Sequence, residues 1–156
     1  MRLTDLLSAE RVCVRRGHET ISNKHEALAL LADLLADGSH APRATIESVL
    51  TEREKLQSTG IGDGVAIPHG AVGELDKQCA ALLIAPDGID FDAIDGEKVN
   101  LLFSVIGPKR ATGEHLKTLA RISRLLRNRS FREQLLSAED GRAAFDLISS
   151  EEGGSA

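Results

Sequence analysis

The chain has little aromatic surface, since it contains no Trp, no Tyr and four Phe among 156 residues. Proteins that bind single-stranded nucleic acids stack the bases on aromatic side chains, and proteins that bind duplexes carry an excess of Lys and Arg. Here 24 Asp and Glu outnumber 19 Lys and Arg, which gives a net charge of -5. We therefore expect no nucleic acid ligand.

Cysteine is scarce as well. Cys13 and Cys79 lie far apart in the sequence and show no CxxC spacing. Two buried free thiols are therefore expected rather than a disulfide or a metal site. The five histidines show neither HxH nor HExxH spacing, so we expect no metal and no other cofactor.

Long apolar runs are missing too. The opening residues MRLTDLLSAE contain an acid where a signal peptide would continue apolar, and no run approaches membrane-spanning length. We expect a soluble, cytoplasmic protein without membrane insertion. Because 42% of the residues are hydrophobic, the chain can bury one ordinary core. Residues 1–150 are predicted to form a single domain, and residues 151–156, which are small and acidic, a flexible tail.

The first part of the chain has helical periodicity. Apolar residues recur at helical spacing over Ser22–Ala36, with Ser22 as the expected N-cap and Gly38 just past the end. A second helix is predicted from Pro42 to Lys55, because Pro is favoured in a first turn. Its last turn contains Arg53.

The middle of the chain changes to short apolar segments. Strands are predicted at Val65–Ile67, Cys79–Ala85 and Val99–Ile106, with a further short strand near Ile89–Phe91. The second and third are nearly unbroken apolar runs, which are typical of strands covered by helices on both faces.

From Thr112 onward the periodicity is helical again. Two later helices are predicted to begin at Ser130 and Ser137, each followed three residues later by an acid. The helix that begins near Thr112 has an apolar stripe made of Leu116, Leu119, Ala120, Ile122, Leu125 and Leu126. The order of helices, strands and helices predicts an α/β fold with a small mixed, mostly parallel sheet flanked by helices on both faces.

The stretch GIGDGVAIPHGAV, Gly60 to Val72, begins with three glycines at every second position, Gly60, Gly62 and Gly64. Glycine lets backbone amides approach an anion closely, so the run could wrap a phosphate. Glycine clusters also form plain turns between elements. The sequence leaves both interpretations open.

The same stretch ends in His69. Pro68 restricts Ile67 to an extended backbone and ends the predicted strand, and Gly70 leaves space beside the histidine. The imidazole is therefore expected at the rim of the sheet, where an unprotonated ring nitrogen suits a nucleophile or a general base. The alternative is an ordinary surface histidine at a strand end.

His115 is a second candidate. It lies in the first turn of the helix that begins near Thr112, where free amides and the helix dipole favour an anion. It also lies in line with Leu119, Ile122 and Leu126, so a hydrogen-bonded core histidine is the alternative. Sequence spacing alone does not bring it to His69.

The string LTEREKLQSTGIGDGVAIPHGAV, Leu50 to Val72, resembles the signature of enzyme IIA domains of the bacterial phosphotransferase system. The resemblance is to the fructose and mannitol class, which includes nitrogen-regulatory IIA proteins. GEHLKTLARISRLL is similar to the family's second histidine segment, and the opening LTDLLS also fits. One departure is Gln57, where the family pattern KLGSTG has a glycine, and it concerns only the local turn.

This resemblance implies a function and its residues. His69 corresponds to the histidine that accepts a phosphoryl group, on the ring nitrogen distal to the backbone, from a phosphohistidine of an HPr-type carrier (HPr or NPr). His115 corresponds to a second histidine that supports the phosphoryl group by hydrogen bonding. Arg53 corresponds to a charge partner for the phosphate. Phosphoryl transfer of this kind needs positioning and charge more than covalent help from the protein.

Three functions stay open. A nitrogen-type regulatory IIA would change its binding partners with its phosphorylation state, and the length of the chain favours this interpretation. A transport IIA would pass phosphate to a sugar-specific IIB domain. A pure interaction module is disfavoured because His69, His115 and Arg53 are all present. The oligomeric state stays open between a monomer and a weak dimer.

Overall fold

The computed structural model describes residues 1–73 and 75–154. Over these residues it contains five α-helices and six β-strands. The helices are α1 Lys24–Ser39, α2 Arg43–Leu56, α3 Thr112–Arg127, α4 Arg129–Leu136 and α5 Gly141–Gly154. The strands are β1 Val12–Val14, β2 Gly60–Gly62, β3 Val65–Ala66, β4 His69–Ala71, β5 Cys79–Ile89 and β6 Val99–Gly107.

The strands form one sheet in the order β1-β5-β6-β3-β2, and β4 also pairs with β6. The β1–β5, β3–β6 and β4–β6 pairs are parallel, whereas β5–β6 and β2–β3 are antiparallel. The prediction of a mixed, mostly parallel sheet is therefore confirmed. Of the short strand predicted near Ile89–Phe91, only Ile89 lies in a strand, as the last residue of β5, and Asp90 forms an isolated bridge to Asn23.

Each face of the sheet packs against helices. Successive residues of a strand point to opposite faces, so Leu83 packs with Leu31 of α1, whereas Leu82 packs with Ile122 of α3. Helices α1 and α2 cover the first face, and α3, α4 and α5 cover the second. The predicted flanking of the sheet by helices on both faces is confirmed.

The ends of α1 differ from prediction. Asn23 is the N-cap, because its side-chain oxygen accepts a backbone N–H in the first turn at 2.9 Å. Ser22 was therefore the wrong cap. Gly38 lies inside the helix, and His40 takes the left-handed C-cap position with φ 64°. The sequence signal failed because His40 occupies a conformation for which glycine is the usual residue.

The starts of α4 and α5 also differ from prediction. Asn128 caps α4 and Asp140 caps α5, through backbone N–H groups at 3.1 and 2.8 Å. Ser130 instead lies in the first turn of α4, and Ser137 is its C-cap. Asn, Asp and Ser rank together as N-caps, so residue type could not choose between the neighbouring candidates.

The predicted flexible tail is wrong for residues 151–154, which continue helix α5. Glu152 is 5% exposed, and its carboxylate accepts the N–H of Leu3 at 2.7 Å and pairs with Arg121 at 3.1 Å. These contacts tie the C-terminal helix to the N-terminal segment and to α3. Residues 155 and 156 lie outside the described residues.

Candidate active site

His69 is the first residue of β4 and follows a break in a parallel ladder. Both β3 and β4 pair with β6 in one continuous register, with Val65 opposite Leu101 and His69 opposite Val105. Pro68 lies in the break, and it has no N–H to donate to a neighbouring strand. The predicted strand end is confirmed, but a new strand begins at once at His69.

The break determines which ring nitrogen of His69 carries hydrogen. Nδ1 lies 2.6 Å from the carbonyl oxygen of Ile67. A carbonyl oxygen can only accept, so Nδ1 is the donor in this pair. In the neutral ring Nε2 then holds an unshared electron pair. The local backbone thus presents the nitrogen distal to the main chain as the nucleophile.

The surroundings of His69 keep its ring neutral. Burial lowers the pKa of His69 below its ordinary value of 6.5, whereas the hydrogen bond to Ile67 raises it. The charge of Arg53 lowers the pKa further, and the charge of Glu54 raises it. Because the net shift is downward, the Nε2 electron pair is available at neutral pH.

His115, in the first turns of α3, lies beside His69. The two ring centroids are 5.5 Å apart and the ring planes are inclined by 50°. Burial lowers the pKa of His115, and the charge on His69 lowers it further. The structure therefore brings together two histidines that the sequence could not connect.

The ring of His115 is half-buried, and its Nε2 atom is buried without a hydrogen-bond partner among the described residues. This differs from the alternative of a hydrogen-bonded core histidine. A buried unpaired polar atom costs about 1–3 kcal/mol, and such atoms in native proteins often have a functional role. The hydrogen-bonding capacity of this nitrogen is therefore unused among the described residues.

Arg53, in the last turn of α2, lines the same open cleft of about 400 Å³ as His69. Its Nη1 donates to the carbonyl oxygen of Gln57 at 2.8 Å. Gln57 has φ -170°, which is extended backbone that any residue adopts. The glycine of the family pattern is therefore not needed in this turn.

Apolar side chains surround the cleft. Ile61 and Ile94, which are 49% and 66% exposed, line it together with Leu119 and Ala120 of α3. The predicted apolar stripe is wrong for Ala120, which is exposed, and for Leu116, which is 60% exposed. The stripe is wider than the buried face of α3, so part of it remains on the surface beside the site.

Gly60, Gly62 and Gly64 belong to the hairpin formed by β2 and β3. Gly62 and Gly64 have φ of 103° and 77°, and Gly60 pairs with Ala66 across the hairpin. Among the described residues that line the His69 cleft, none of these glycines occurs. The glycines thus form a turn, as one of the two interpretations predicted, and the phosphate cradle stays a prediction.

Gly70 is needed for a different reason from the predicted one, which was space beside His69. A Cβ atom at this position would lie 2.2 Å from Cγ1 of Val49 on α2. The missing side chain lets α2, which carries Arg53, pack close to β4. Space beside His69 is therefore not the reason for this glycine.

Sequence reasoning missed Ser104, a fully buried residue of β6. Its hydroxyl donates to the carbonyl oxygen of Pro68 at 2.8 Å, and the N–H of Val105 donates to the same oxygen at 3.1 Å. A signal was available, since Ser104 is the one hydroxyl in the otherwise apolar run LLFSVI. These bonds fix the residue that precedes His69.

Other predictions concern sites away from this cleft. Cys13 and Cys79 are both free, as predicted, and Cys79 is buried, but the predicted burial is wrong for Cys13, which is only partly buried. Within residues 1–73 and 75–154, no three His, Cys, Asp or Glu side chains group in a way that could hold a metal ion. In the same part of the chain, none of the helices is both long and apolar enough to cross a membrane.

Comparison with known proteins identifies similar chains. Residues 7–151 match the family model described as "Phosphoenolpyruvate-dependent sugar phosphotransferase system, EIIA 2". A nitrogen regulatory protein of Bradyrhizobium diazoefficiens is 35% identical over 148 residues, which is 95% of each chain. The fructose-specific EIIABC component of Bacillus subtilis is 30% identical over 95% of this chain, which corresponds to 23% of that protein.

Solved structures show the same fold. The nitrogen regulatory protein IIA-Ntr of Neisseria meningitidis superimposes with a TM-score of 0.85 at 30% identity, covering 94% of this chain and 98% of that one. IIA mannitol of Escherichia coli gives a TM-score of 0.76 at 22% identity, with 90% and 97% covered. This chain belongs to the EIIA 2 family of the phosphoenolpyruvate-dependent sugar phosphotransferase system.

Proposed function

We propose that this protein is a phosphoryl carrier that accepts a phosphoryl group on Nε2 of His69 from a phosphohistidine of an HPr-type protein. The hydrogen bond from Nδ1 to the carbonyl oxygen of Ile67 is the observation on which the proposal rests. It leaves the electron pair on Nε2, and burial keeps the ring neutral by lowering its pKa.

In the proposed step, the Nε2 electron pair attacks the phosphorus atom in line with the P–N bond of the donor. That bond breaks and its electron pair stays on the donor imidazole, which becomes neutral. The Nδ1 proton of His69 stays in place, so the phosphorylated ring carries one positive charge. The carbonyl oxygen of Ile67 stabilises this charge through the same hydrogen bond.

Two neighbours would hold the phosphoryl oxygens. Arg53 lines the cleft beside His69, and a guanidinium group is well suited to bind phosphate. His115 lies 5.5 Å from His69, between ring centroids, and offers a ring nitrogen that has no other partner among the described residues. With hydrogen on that nitrogen, His115 would donate to the transferred group.

Within the family we favour a regulatory role of the nitrogen type. The support is the nitrogen regulatory protein of Bradyrhizobium diazoefficiens, which matches this chain over 95% of both lengths. Transport is the second candidate, because a fructose-specific EIIA component of Haloferax volcanii is 32% identical over 95% of this chain and 97% of that protein. A structure of IIA mannitol in complex with phosphorylated IIB mannitol shares the fold.

The phosphoryl acceptor is tested by incubation with enzyme I, an HPr-type carrier and phosphoenolpyruvate, followed by intact mass. We expect one acid-labile phosphoryl group on the wild type and on His18→Ala, which changes an exposed histidine. We expect none on His69→Ala. A phosphoryl group on the His69→Ala variant would contradict the proposal.

The two roles are separated by what the phosphorylated protein does next. A regulatory IIA is expected to retain its phosphoryl group when mixed with a purified fructose-type or mannitol-type IIB domain. It should also bind a partner from its own cell extract in only one phosphorylation state. Rapid transfer to the IIB domain would instead identify a transport IIA.

A further inference from the structure

Glu54, in the last turn of α2, is 6% exposed although it carries a carboxylate. Its oxygens accept the N–H of Thr59 at 2.9 Å and the hydroxyl of Thr59 at 2.6 Å. The ammonium group of Lys24 lies 3.1 Å from one of them. A buried carboxylate is stable only when it is paired in this way, so Glu54 holds Thr59 firmly in place.

Thr59 in turn holds Ile67. The carbonyl oxygen of Thr59 accepts the N–H of Ile67 at 3.0 Å, at the base of the β2–β3 hairpin. The carbonyl oxygen of Ile67 then accepts Nδ1–H of His69 at 2.6 Å. Thr59 is 3% exposed and Ile67 6%, so water has little access to replace these bonds. A continuous hydrogen-bonded chain therefore connects Glu54 to the ring of His69.

The residue after Ile67, Pro68, is held in place by β6. Ser104 and Val105 of β6 both donate to the carbonyl oxygen of Pro68. The Ile67 carbonyl thus lies between two anchored points, Thr59 on one side and β6 on the other. Of these anchors, β6 is part of the sheet, whereas Thr59 lies in a loop and depends on Glu54.

We propose that Glu54 is a positioning residue for His69, and that it acts through Thr59 and Ile67 to fix the carbonyl oxygen that receives Nδ1–H. This inference rests on the proposed function, in which Nε2 of His69 accepts the phosphoryl group. In-line transfer requires the nucleophile within a fraction of an ångström of its productive position. Glu54 does not touch the reacting atoms. Its negative charge, which raises the pKa of His69, acts in the same direction as the Ile67 bond.

The test uses four variants of the full chain. Thr59→Val removes the hydroxyl but keeps the shape, and Thr59→Ser retains the hydroxyl. Glu54→Gln removes the charge of the buried carboxylate. Glu52→Gln makes the same chemical change on the same helix at a side chain that is 68% exposed, and it serves as the matched control.

Two measurements are made on each variant. The first is the ¹⁵N NMR spectrum of the His69 ring without phosphorylation, which reports the share of the Nδ1–H tautomer. The second is the rate of phosphoryl transfer at several carrier concentrations, which separates kcat from KM. For Thr59→Val and Glu54→Gln we expect a smaller share of the Nδ1–H tautomer. We also expect kcat to fall between ~10-fold and ~100-fold with little change in KM. Thr59→Ser and Glu52→Gln should match the wild type in both measurements.

A wild-type tautomer share and kcat in folded Thr59→Val would overturn the inference. If Glu54→Gln does not fold, Thr59→Val decides, because it leaves the pair between Glu54 and Lys24 intact. A loss of kcat with an unchanged tautomer would also count against the inference, since a general weakening of the fold explains it. Failure of wild-type His69 to accept a phosphoryl group would refute the proposed function instead, and the tautomer measurement would still test the hydrogen-bonded chain.

Discussion

The imidazole rings of His69 and His115 lie 5.5 Å apart between centroids and are inclined by 50°. Burial lowers the pKa of each ring, and a charge on His69 lowers the pKa of His115 further. A charge on His69 therefore adds to burial in disfavouring protonation of His115. One is fixed by a main-chain carbonyl, whereas the other has a buried nitrogen that no described residue contacts by a hydrogen bond.

Titration by NMR should show both rings ionising below pH 6.5, the ordinary value. As the pH falls, the unfolded chain binds these protons before the folded chain does. The contribution of the two neutral histidines to the free energy of unfolding is therefore fully present above about pH 6.5, and it is lost as the pH drops from there through the folded-state pKa values. The reference is the same protein unfolded in urea. A folded-state midpoint at or above the unfolded one, for either His69 or His115, would contradict this prediction.

Replacing His115 with Ala should slow phosphoryl transfer by about 10²-fold, the usual effect of removing one donor to a developing charge. The free energy of unfolding should change by less than about 1 kcal/mol, because the ring is half-buried and its Nε2 is unpaired among the described residues. Transfer rates and urea unfolding measure the two effects, with His18→Ala as the control. A variant that is chiefly unstable would show that His115 is a core histidine.

Gly70→Ala should reduce the free energy of unfolding by about 1–3 kcal/mol, since the new methyl group overlaps Cγ1 of Val49. Combining it with Val49→Ala should recover part of this loss, because the two positions are in contact and their effects are not additive. Urea unfolding of the single and double variants measures the coupling.

The matched control for Gly70 is Gly113→Ala in α3, where the new Cβ meets no described atom within 4 Å apart from its chain neighbours and the backbone of its own helix. Its free energy of unfolding should stay the same or rise by up to about 1 kcal/mol, because Ala favours helix more than Gly. Equal losses at both positions would mean that the contact with Val49 is not the cause.

Glu152→Ala should cost about 1–3 kcal/mol of stability, because the buried N–H of Leu3 and the partly buried N–H of Thr4 lose their acceptor. Deleting residues 151–156 should have a similar effect. Thermal unfolding compares both with Glu139→Ala, which changes an exposed acid. If the C-terminal residues behaved as a flexible tail, neither change would move the melting temperature.

Much of the fold was accessible from the sequence because it is encoded locally. The unbroken apolar runs of β5 and β6 indicated strands covered on both faces, and the proline before His69 indicated a strand end. These signals lie within a few residues of the features they predict. The helix caps were harder, since Asn128 and Asp140 compete with nearby serines of equal capping strength.

The candidate site depends on distant contacts, and those were not accessible from spacing. His115 lies beside His69 only because α3 packs against the face of the sheet that also holds Val105, the partner of His69 in β6. Glu54 is flanked by Arg53 and Lys55, and such a charged run usually lies on the surface. Its burial follows from the loop that returns Thr59 to the end of α2, which a helical pattern does not reveal.

The acceptor that orients His69 is a main-chain oxygen, and it therefore belongs to no particular side chain. Any residue at position 67 that packs in place of Ile67 would present the same carbonyl to Nδ1. The orientation of the His69 ring is therefore insensitive to substitution of the residue whose carbonyl oxygen holds it. The sensitive positions are those that shape the path of the backbone, and Pro68, which lies in the break between β3 and β4, is the one next to His69.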